Sequence, residues 1–500
     1  MTLRTLLFFL AVSVLSVSAQ PNILYIMSDD HAAHAISAYG GRLAEVAPTP
    51  NLDRLASEGM RFNNAFVTNS ICTPSRAVIM TGKYSHVNGV YKFTGLDQNQ
   101  PTVPKYMQAN GYQTGFVGKY HLHTNPVGFE HWSILPGQGK YHDTEFVEMG
   151  DEDPSGIVLK GKKTAYPGSH STDIITKKAL DWFKETRDEN RPFFYMLHYK
   201  APHDLWQHAH RYDDYLADVK IPEPDNLLDH SSGRSPALDQ SLQNIASSQR
   251  HMNFTPEIMA MEPGFEKRKF VYQEYMKRYL RCVKGIDDNL GKVFAYLDES
   301  GLADNTIVIY TADQGFFLGE HGLYDKRFIY EEALRIPLIV RWPNKITAGQ
   351  VREEIILNLD FPETILDIAG QPVPNDMQGR SFLPILRGER IEDWRNNFYY
   401  RYYYSHFDTP PHFGIRSTDQ KLIYYDSRDE WEFYDLRSDP TEMHDLSKNP
   451  AWGNRIFSMK TKLTQLQKQV GDNPNDIGDN PRTGNAALDQ LERDRVARPK

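Results

Sequence analysis

Asn22-Ile-Leu-Tyr-Ile-Met-Ser28, followed at once by Asp29-Asp30, is the stretch on which the architecture turns. Its seven residues show no alternation of apolar and polar positions, as expected of a strand buried on both faces in a helix-covered sheet. The abrupt change to two carboxylates marks the strand's carboxyl end. Gln113 to Val117, Phe193 to Leu197, Thr306 to Tyr310 and Ile336 to Val340 read as strands of the same kind. Helical signals lie between them. Pro50 to Ser57 puts Leu52, Leu55 and Ala56 on one face before Gly59. From Glu266 to Glu299, Tyr272, Met276, Tyr279, Val283, Ile286, Leu290, Val293 and Leu297 keep to one face through alternating four- and three-residue steps. Strands alternating with helices predict an α/β fold with a mostly parallel sheet flanked by helices on both sides.

The pattern changes after about Gly370. Phe398 to Tyr404, Phe413 to Arg416, Lys421 to Tyr425 and Glu430 to Tyr434 are short aromatic runs separated by turn residues, the signature of a small antiparallel sheet. A helix over roughly Trp452 to Gln469 follows. At the other end, Arg4, the apolar Leu6 to Val17 and the small-residue Val17-Ser18-Ala19 read as a cleavable secretory signal. The expected organisation is therefore a signal over 1–19, an α/β domain over 20–375, a C-terminal α+β subdomain over 376–470 and a polar tail over 471–500. Asp204 to Pro263, rich in His, Asp, Ser and Pro, reads as a long loop near the mouth of a site. The signal implies an exported protein, periplasmic or secreted, and no other segment is long enough to span a membrane.

The 500 residues hold 56 Lys+Arg against 65 Asp+Glu, a net charge of −9, with 40% hydrophobic residues. That much apolar material excludes a disordered chain. The acidic balance argues against nucleic acid as a partner, since counterion release rewards cationic surfaces. Only two cysteines occur, Cys72 and Cys282, so at most one disulfide is available and the fold must rest on its core.

Ionisable residues fall at equivalent places along the chain. Asp29-Asp30, then Lys119 with His121 and His123, then His198 with His203, and Asp313-Gln314 each follow a predicted buried strand. In open α/β sheets the carboxyl ends of strands converge on one crevice where ligands bind. One such cluster is readily a helix cap or turn; four together predict a single site. Asp29, Asp30, Asp313 and the Gln314 amide make a set of hard oxygen ligands suited to Ca²⁺ or Mg²⁺. The rival is a zinc site using His121 and His123, or His198, His203, His208 and His210; ligand hardness favours calcium.

Cys72 lies in Cys72-Thr73-Pro74-Ser75-Arg76, followed by Ala-Val-Ile-Met-Thr81-Gly82. Pro74 suits a helix first turn, so Cys72 sits at a helix N-terminus with Arg76 one turn on, a setting that favours anions. Read from the residues alone, Cys72 is either a buried structural thiol or a thiolate nucleophile. The whole motif resembles the signature of the type I sulfatases, in which this cysteine is oxidised by a maturing enzyme to Cα-formylglycine. Asp29-Asp30, Gly118-Lys119-x-His121, Ala201-Pro202-His203, Asp313-Gln314-Gly315, Gly319-Glu320-His321-Gly322, Lys326 and Tyr434-Asp435-Leu436 are similar to further positions of that family.

The resemblance covers nearly the whole mature chain. It implies an alkaline-phosphatase-like fold, Ca²⁺ held by Asp29, Asp30, Asp313, Gln314 and position 72, and a formylglycine-generating or anaerobic sulfatase-maturing partner. Gln314 departs from the family, which commonly carries Asn or His there. The implied mechanism has the hydrated aldehyde at position 72 attack sulfur, with Asp313 as its base. Arg76, Lys119 and Lys326 neutralise the sulfate, His203 protonates the leaving oxygen, and His121 takes a proton from the second hydroxyl so that sulfate is expelled. Ser28-Asp29-Asp30-His31-Ala32, Leu135-Pro136-Gly137-Gln138-Gly139 and Asp325-Lys326-Arg327 resemble bacterial exo-acting carbohydrate sulfatases, including those acting on 6-sulfated N-acetylglucosamine. A sulfated mono- or oligosaccharide, from a glycosaminoglycan or an algal polysaccharide, is the expected substrate, and His123, Trp206, Arg327, His406 and His412 are candidate sugar contacts. Phosphonate or phosphate ester hydrolysis, and non-catalytic binding of sulfated glycans, are the alternatives.

Overall fold

A computed structural model describes residues 20–150, 161–252 and 254–474. The signal read at 1–19 and positions 475–500 of the tail lie outside the described residues. Among the described residues, ten strands form one mixed sheet. Its order is Gln350–Arg352, Met60–Phe62, Leu338–Arg341, Thr306–Ala312, Asn22–Ser28, Phe193–Tyr199, Gln113–Gly118, His131–Ile134, His142–Glu148 and Lys162–His170. The five strands from Thr306–Ala312 to His131–Ile134 run parallel. Antiparallel strands adjoin them on both sides.

Asn22–Ser28 is central because both its faces are apolar. Ile23, Tyr25 and Met27 enter one core, packed with helices Cys72–Thr81 and Phe361–Ile368; Leu24 and Ile26 enter the other, with Phe265–Glu299 and Ser171–Asp181. All five residues are completely buried, and each such aliphatic or aromatic side chain contributes about 1.5–3 kcal/mol by leaving water. The stretch read as Ile336 to Val340 divides at Pro337, which has no N–H for a ladder. Arg335–Ile336 pairs with Ala65–Phe66, while Leu338–Arg341 joins the main sheet antiparallel to Thr306–Ala312.

Asn397–Tyr402, His412–Ser417, Gln420–Tyr425 and Glu430–Asp435 form a four-stranded antiparallel meander, with helix Gly453–Val470 packed on it through Ile456, Met459 and Leu463. A buried ionic cluster ties this sheet to the α/β body. Glu331 accepts from Arg416 at 3.1 Å and pairs with Lys421 at 3.0 Å, and Lys421 also reaches Glu442 at 2.6 Å. The first residues of the expected tail are anchored, because Asp472 accepts hydrogen bonds from Tyr399 and Arg401 of the meander. Among the described residues no helix is long and apolar enough to cross a membrane. The stretch read as one long loop carries short helices at Ala237–Gln240, Gln249–Met252 and Pro256–Ala260.

Candidate active site

Four adjacent parallel strands bring the polar clusters to one edge of the sheet. Ser28 lies level with Ala312 on one side and Tyr199 on the other, and Gly118 lies level with His198. The residues that follow, Asp29, Asp313, Lys200 and Lys119, therefore emerge side by side. Gly118 is required at the turn into Lys119: its φ is +106°, and a Cβ there would stand 1.8 Å from the His198 carbonyl oxygen. Asp30, His121, His123, Asp325 and Arg327 also hold positive φ. Non-glycine residues in this region cost of order 1 kcal/mol each and gather where function over-determines the backbone.

Cys72 is the first residue of helix Cys72–Thr81, whose ten residues are all buried. Ser75 of its first turn donates to the Asp313 carbonyl, and Asn358 Nδ2 donates to Ser75 Oγ at 2.9 Å. Arg76 Nε donates to Asp313 Oδ2 at 2.8 Å, its Nη1 donates to the Lys119 carbonyl, and its Nη2 lies 3.6 Å from Asp29 Oδ1. The Lys119 ammonium pairs with Asp29 Oδ2, and Lys326 Nζ lies 2.7 Å from Asp30 Oδ2. His203 Nε2 stands 3.7 Å from the same Asp30 oxygen. Thr73 donates to the His121 carbonyl at 2.9 Å, holding that histidine against the helix start. Three carboxylates and three permanent cations thus meet in one buried cluster, which is expensive to desolvate and a poor device for stability alone.

The electrostatics follow from burial and these neighbours. Burial pushes the Cys72 thiol up to about 11, against the pull of Lys119 and Lys326. Burial thus disfavours the thiolate of an unmodified cysteine here. Burial and then Asp29 raise Asp313 to about 7, opposed by Arg76. Burial alone would raise Asp29, but Lys119, His203 and Arg76 hold it well below the usual carboxylate range. Burial, Lys119 and Arg76 push His121 well below the ordinary imidazole value, so its ring is neutral.

Asp29 Oδ1 and Gln314 Oε1 are buried oxygens without a hydrogen-bond partner, a combination avoided unless something else satisfies them. Gln314 turns its Nε2 to Asp30. Asp29, Asp30 and His203 are the grouping of metal-ligating side chains found among the described residues, with ligand atoms within 4.8 Å of one another. The orphaned hard oxygens beside further carboxylates fit a calcium-type cation. His208 and His210 are engaged instead with Asp213, at 3.0 and 3.4 Å, and His198 is buried edge-on to Phe116 with neither ring nitrogen bonded. Among the described residues, His198, His203, His208 and His210 therefore do not assemble as one zinc set.

The candidate sugar contacts separate. His123 is half-buried, its ring 5.1 Å from His121; Phe93 lies 5.7 Å from His121 and 5.8 Å from His406, which accepts from Arg327. These residues form one wall beside the cluster. Arg327 is itself buried, paired with Asp325 and stacked 4.3 Å over Phe407. Trp206 and His412 are corrections. Trp206 has no exposed surface and packs at 4.7 Å from Tyr275 and 6.1 Å from Tyr324, so no indole face is open to a pyranose. His412 is enclosed between Phe328 and Tyr400, bonds the Pro410 carbonyl, and is held neutral near 4 by burial. In both, the apolar ring area is worth more in the core than at a wet surface.

Asp204 and His251 were not singled out from the sequence, yet both stand behind His203: Asp204 Oδ1 lies 2.5 Å from His203 Nδ1, and His251 Nε2 lies 3.2 Å from Asp204 Oδ2. Asp204 follows Ala-Pro-His directly, and that adjacency was the available signal. His251 lies 47 positions beyond Asp204, and only the folded loop brings it there.

The sulfatase family profile matches residues 21–371, and that of the N-sulphoglucosamine sulphohydrolase C-terminal region matches 319–469. An N-acetylglucosamine-6-O-sulfatase of Bacteroides thetaiotaomicron is 40% identical over 506 aligned positions, covering 91% of this chain and 88% of the relative. The human N-acetylglucosamine-6-sulfatase is 30% identical, covering 77% and 67%. A structure solved in complex with its substrate, D-glucosamine-2-N,6-O-disulfate, superposes with a TM-score of 0.84 at 38% identity, covering 92% of this chain and all of that one.

Proposed function

The chain belongs to the sulfatase family and is a sulfuric ester hydrolase, and on that premise we propose that it removes sulfate from 6-sulfated glucosamine saccharides as an exported enzyme. The observation that carries the reading is the buried cluster of Arg76, Lys119 and Lys326 around position 72 at the helix start. It is joined by likeness to relatives whose names specify N-acetylglucosamine 6-sulfate and a disulfated glucosamine. Export rests on the N-terminal signal pattern alone.

A sulfate ester presents three oxygens that share one negative charge, and a sugar alkoxide leaves poorly. Arg76, Lys119 and Lys326 hold the sulfate oxygens where charge builds up during transfer. Asp29, Asp30, Asp313 and Gln314 would hold calcium, which supplies further Lewis-acid neutralisation. Cys72, matured to formylglycine, would supply a hydrated aldehyde with a second hydroxyl, which neither a thiol nor a serine has. Asp313, whose Oδ2 accepts from Arg76 Nε beside position 72, is the base for that group. His203 gives its Nε2 proton to the leaving oxygen, helped by Lys326, and neutral His121 accepts a proton when sulfate departs. His123, Arg327 and His406 line the wall that would meet the sugar.

The deciding experiment measures free sulfate from a panel of defined sulfated mono- and oligosaccharides, with an aryl phosphodiester and a phosphonate alongside. Release from the 6-sulfated glucosamine members is expected; preference for the phosphorus esters would sink the reading. Mass spectrometry of the peptide containing residue 72, from protein made with a maturing enzyme, tests the modification. An unmodified cysteine in active protein excludes it.

A further inference from the structure

The imidazole of His203 is backed by a continuous line of close polar contacts that none of the roles above requires. Its Nδ1 lies 2.5 Å from Asp204 Oδ1 and 2.9 Å from the Asp204 carbonyl oxygen. The other carboxylate oxygen, Oδ2, lies 3.2 Å from His251 Nε2. His251 Nδ1 lies 3.0 Å from the Tyr324 hydroxyl and 3.2 Å from Ser248 Oγ, and those two hydroxyls are 2.8 Å apart. His251 and Tyr324 are buried, and the Asp204 side chain keeps 25% exposure.

One arrangement of protons satisfies every member. A hydroxyl donates to His251 Nδ1, which makes His251 Nε2 a donor to Asp204; Asp204, a pure acceptor when ionised, then takes the second donor from His203 Nδ1. Its two carboxylate oxygens each face one imidazole nitrogen, at 2.5 Å from His203 and 3.2 Å from His251, the arrangement of an acceptor between two donors. With Nδ1–H committed to Asp204, the His203 nitrogen that faces Asp30 is Nε2.

We propose that Asp204 is a positioning residue for the hydrolysis, fixing with His251 the tautomer and ring orientation that place His203 Nε2 at the leaving oxygen. The inference rests on the acid role assigned to His203 above. In the step it serves, His203 starts as the imidazolium, protonated on both nitrogens: the sulfur–oxygen bond breaks, its electron pair stays on the sugar oxygen, and the Nε2 proton moves to that oxygen, leaving the neutral Nδ1–H ring that Asp204 faces. Asp204 keeps its charge throughout and gains no proton, the part a carboxylate plays behind a catalytic imidazole.

Matured enzyme carrying Asp204→Asn is compared with wild type on a 6-sulfated glucosamine substrate and on 4-nitrophenyl sulfate, whose leaving group needs little protonation. The expected result is a kcat lower by about 10–100-fold on the sugar sulfate, with KM within about 2-fold and the aryl ester within about 3-fold. The ¹⁵N-histidine spectrum, with His203 assigned by its loss in His203→Ala, should show the Nδ1–H tautomer of the neutral ring in wild type and a larger Nε2–H share in Asp204→Asn. His251→Phe should reproduce the same pattern more weakly, and it serves if Asp204→Asn fails to fold. An equal loss on both esters, an unchanged kcat on the sugar, or an unchanged tautomer overturns the proposal. If His203→Ala itself shows no preference for loss on the sugar sulfate, while the tautomer responds to Asp204, the acid reading fails and the positioning stands.

Discussion

Cys72 shows how far chemistry departs from composition at the scale of one residue. Its thiol is buried and pushed up to about 11, and replacing it with alanine removes the group that can mature. Cys72→Ala should fold and lose sulfate release by about 10³-fold or more, since nucleophile variants retain only binding and electrostatics. Arg76→Lys tests the neighbouring cation. A lysine cannot reach Asp313, the Lys119 carbonyl and Asp29 together as the guanidinium does. We expect kcat to fall by about 10²-fold, read as free sulfate over time; full activity would show that charge alone suffices there.

Elements set the positions of these residues, and two substitutions test that level. Gly118→Ala would force a Cβ against the His198 carbonyl and displace the strand end that carries Lys119 and His121. It should cost about 3 kcal/mol or more, seen as a lowered unfolding midpoint, together with loss of activity. Glu432, on strand Glu430–Asp435, accepts from Tyr330 at 2.8 Å and from the Ser235 N–H at 2.8 Å where the meander meets the body. Burial pushes its carboxyl up to about 7. A carboxyl raised on folding contributes stability that is complete below its unfolded value of about 4.5 and is lost as pH rises through about 7. Glu432→Gln should therefore flatten the decline in unfolding free energy between pH 5 and 8, by up to about 3 kcal/mol. An unaltered pH profile would show that Glu432 is not the source.

At the scale of the whole molecule, the site exists because four strands distant in sequence end together, and a shared cation would stabilise that convergence. Stripping calcium with a chelator should abolish turnover and lower the thermal midpoint, and added Ca²⁺ should restore both. At a hundredfold excess over Kd the ligand adds about 2.7 kcal/mol to the folded state. Restoration by Zn²⁺ but not Ca²⁺ would return the histidine reading. The C-terminal meander belongs to the same argument, since His406 and the Arg327 loop it supports form the wall beside position 72.

The sequence by itself determined the sheet, the long helix and the main cluster. Unalternating apolar runs have few ways to hide from water except as doubly covered strands, and local motifs such as Cys-Thr-Pro-Ser-Arg hold their chemistry within a few residues. Parallel strand ends then require Asp29, Lys119 and Asp313 to meet. Tertiary structure decided what depends on which side of a ring is left open. Trp206 and His412 look like sugar platforms as letters and are core residues in space, because burial of aromatic area competes with exposure and only packing settles the contest. It also placed His251 behind Asp204 and His203, since a carboxylate's two oxygens can recruit partners far apart in the chain once a loop folds over the site.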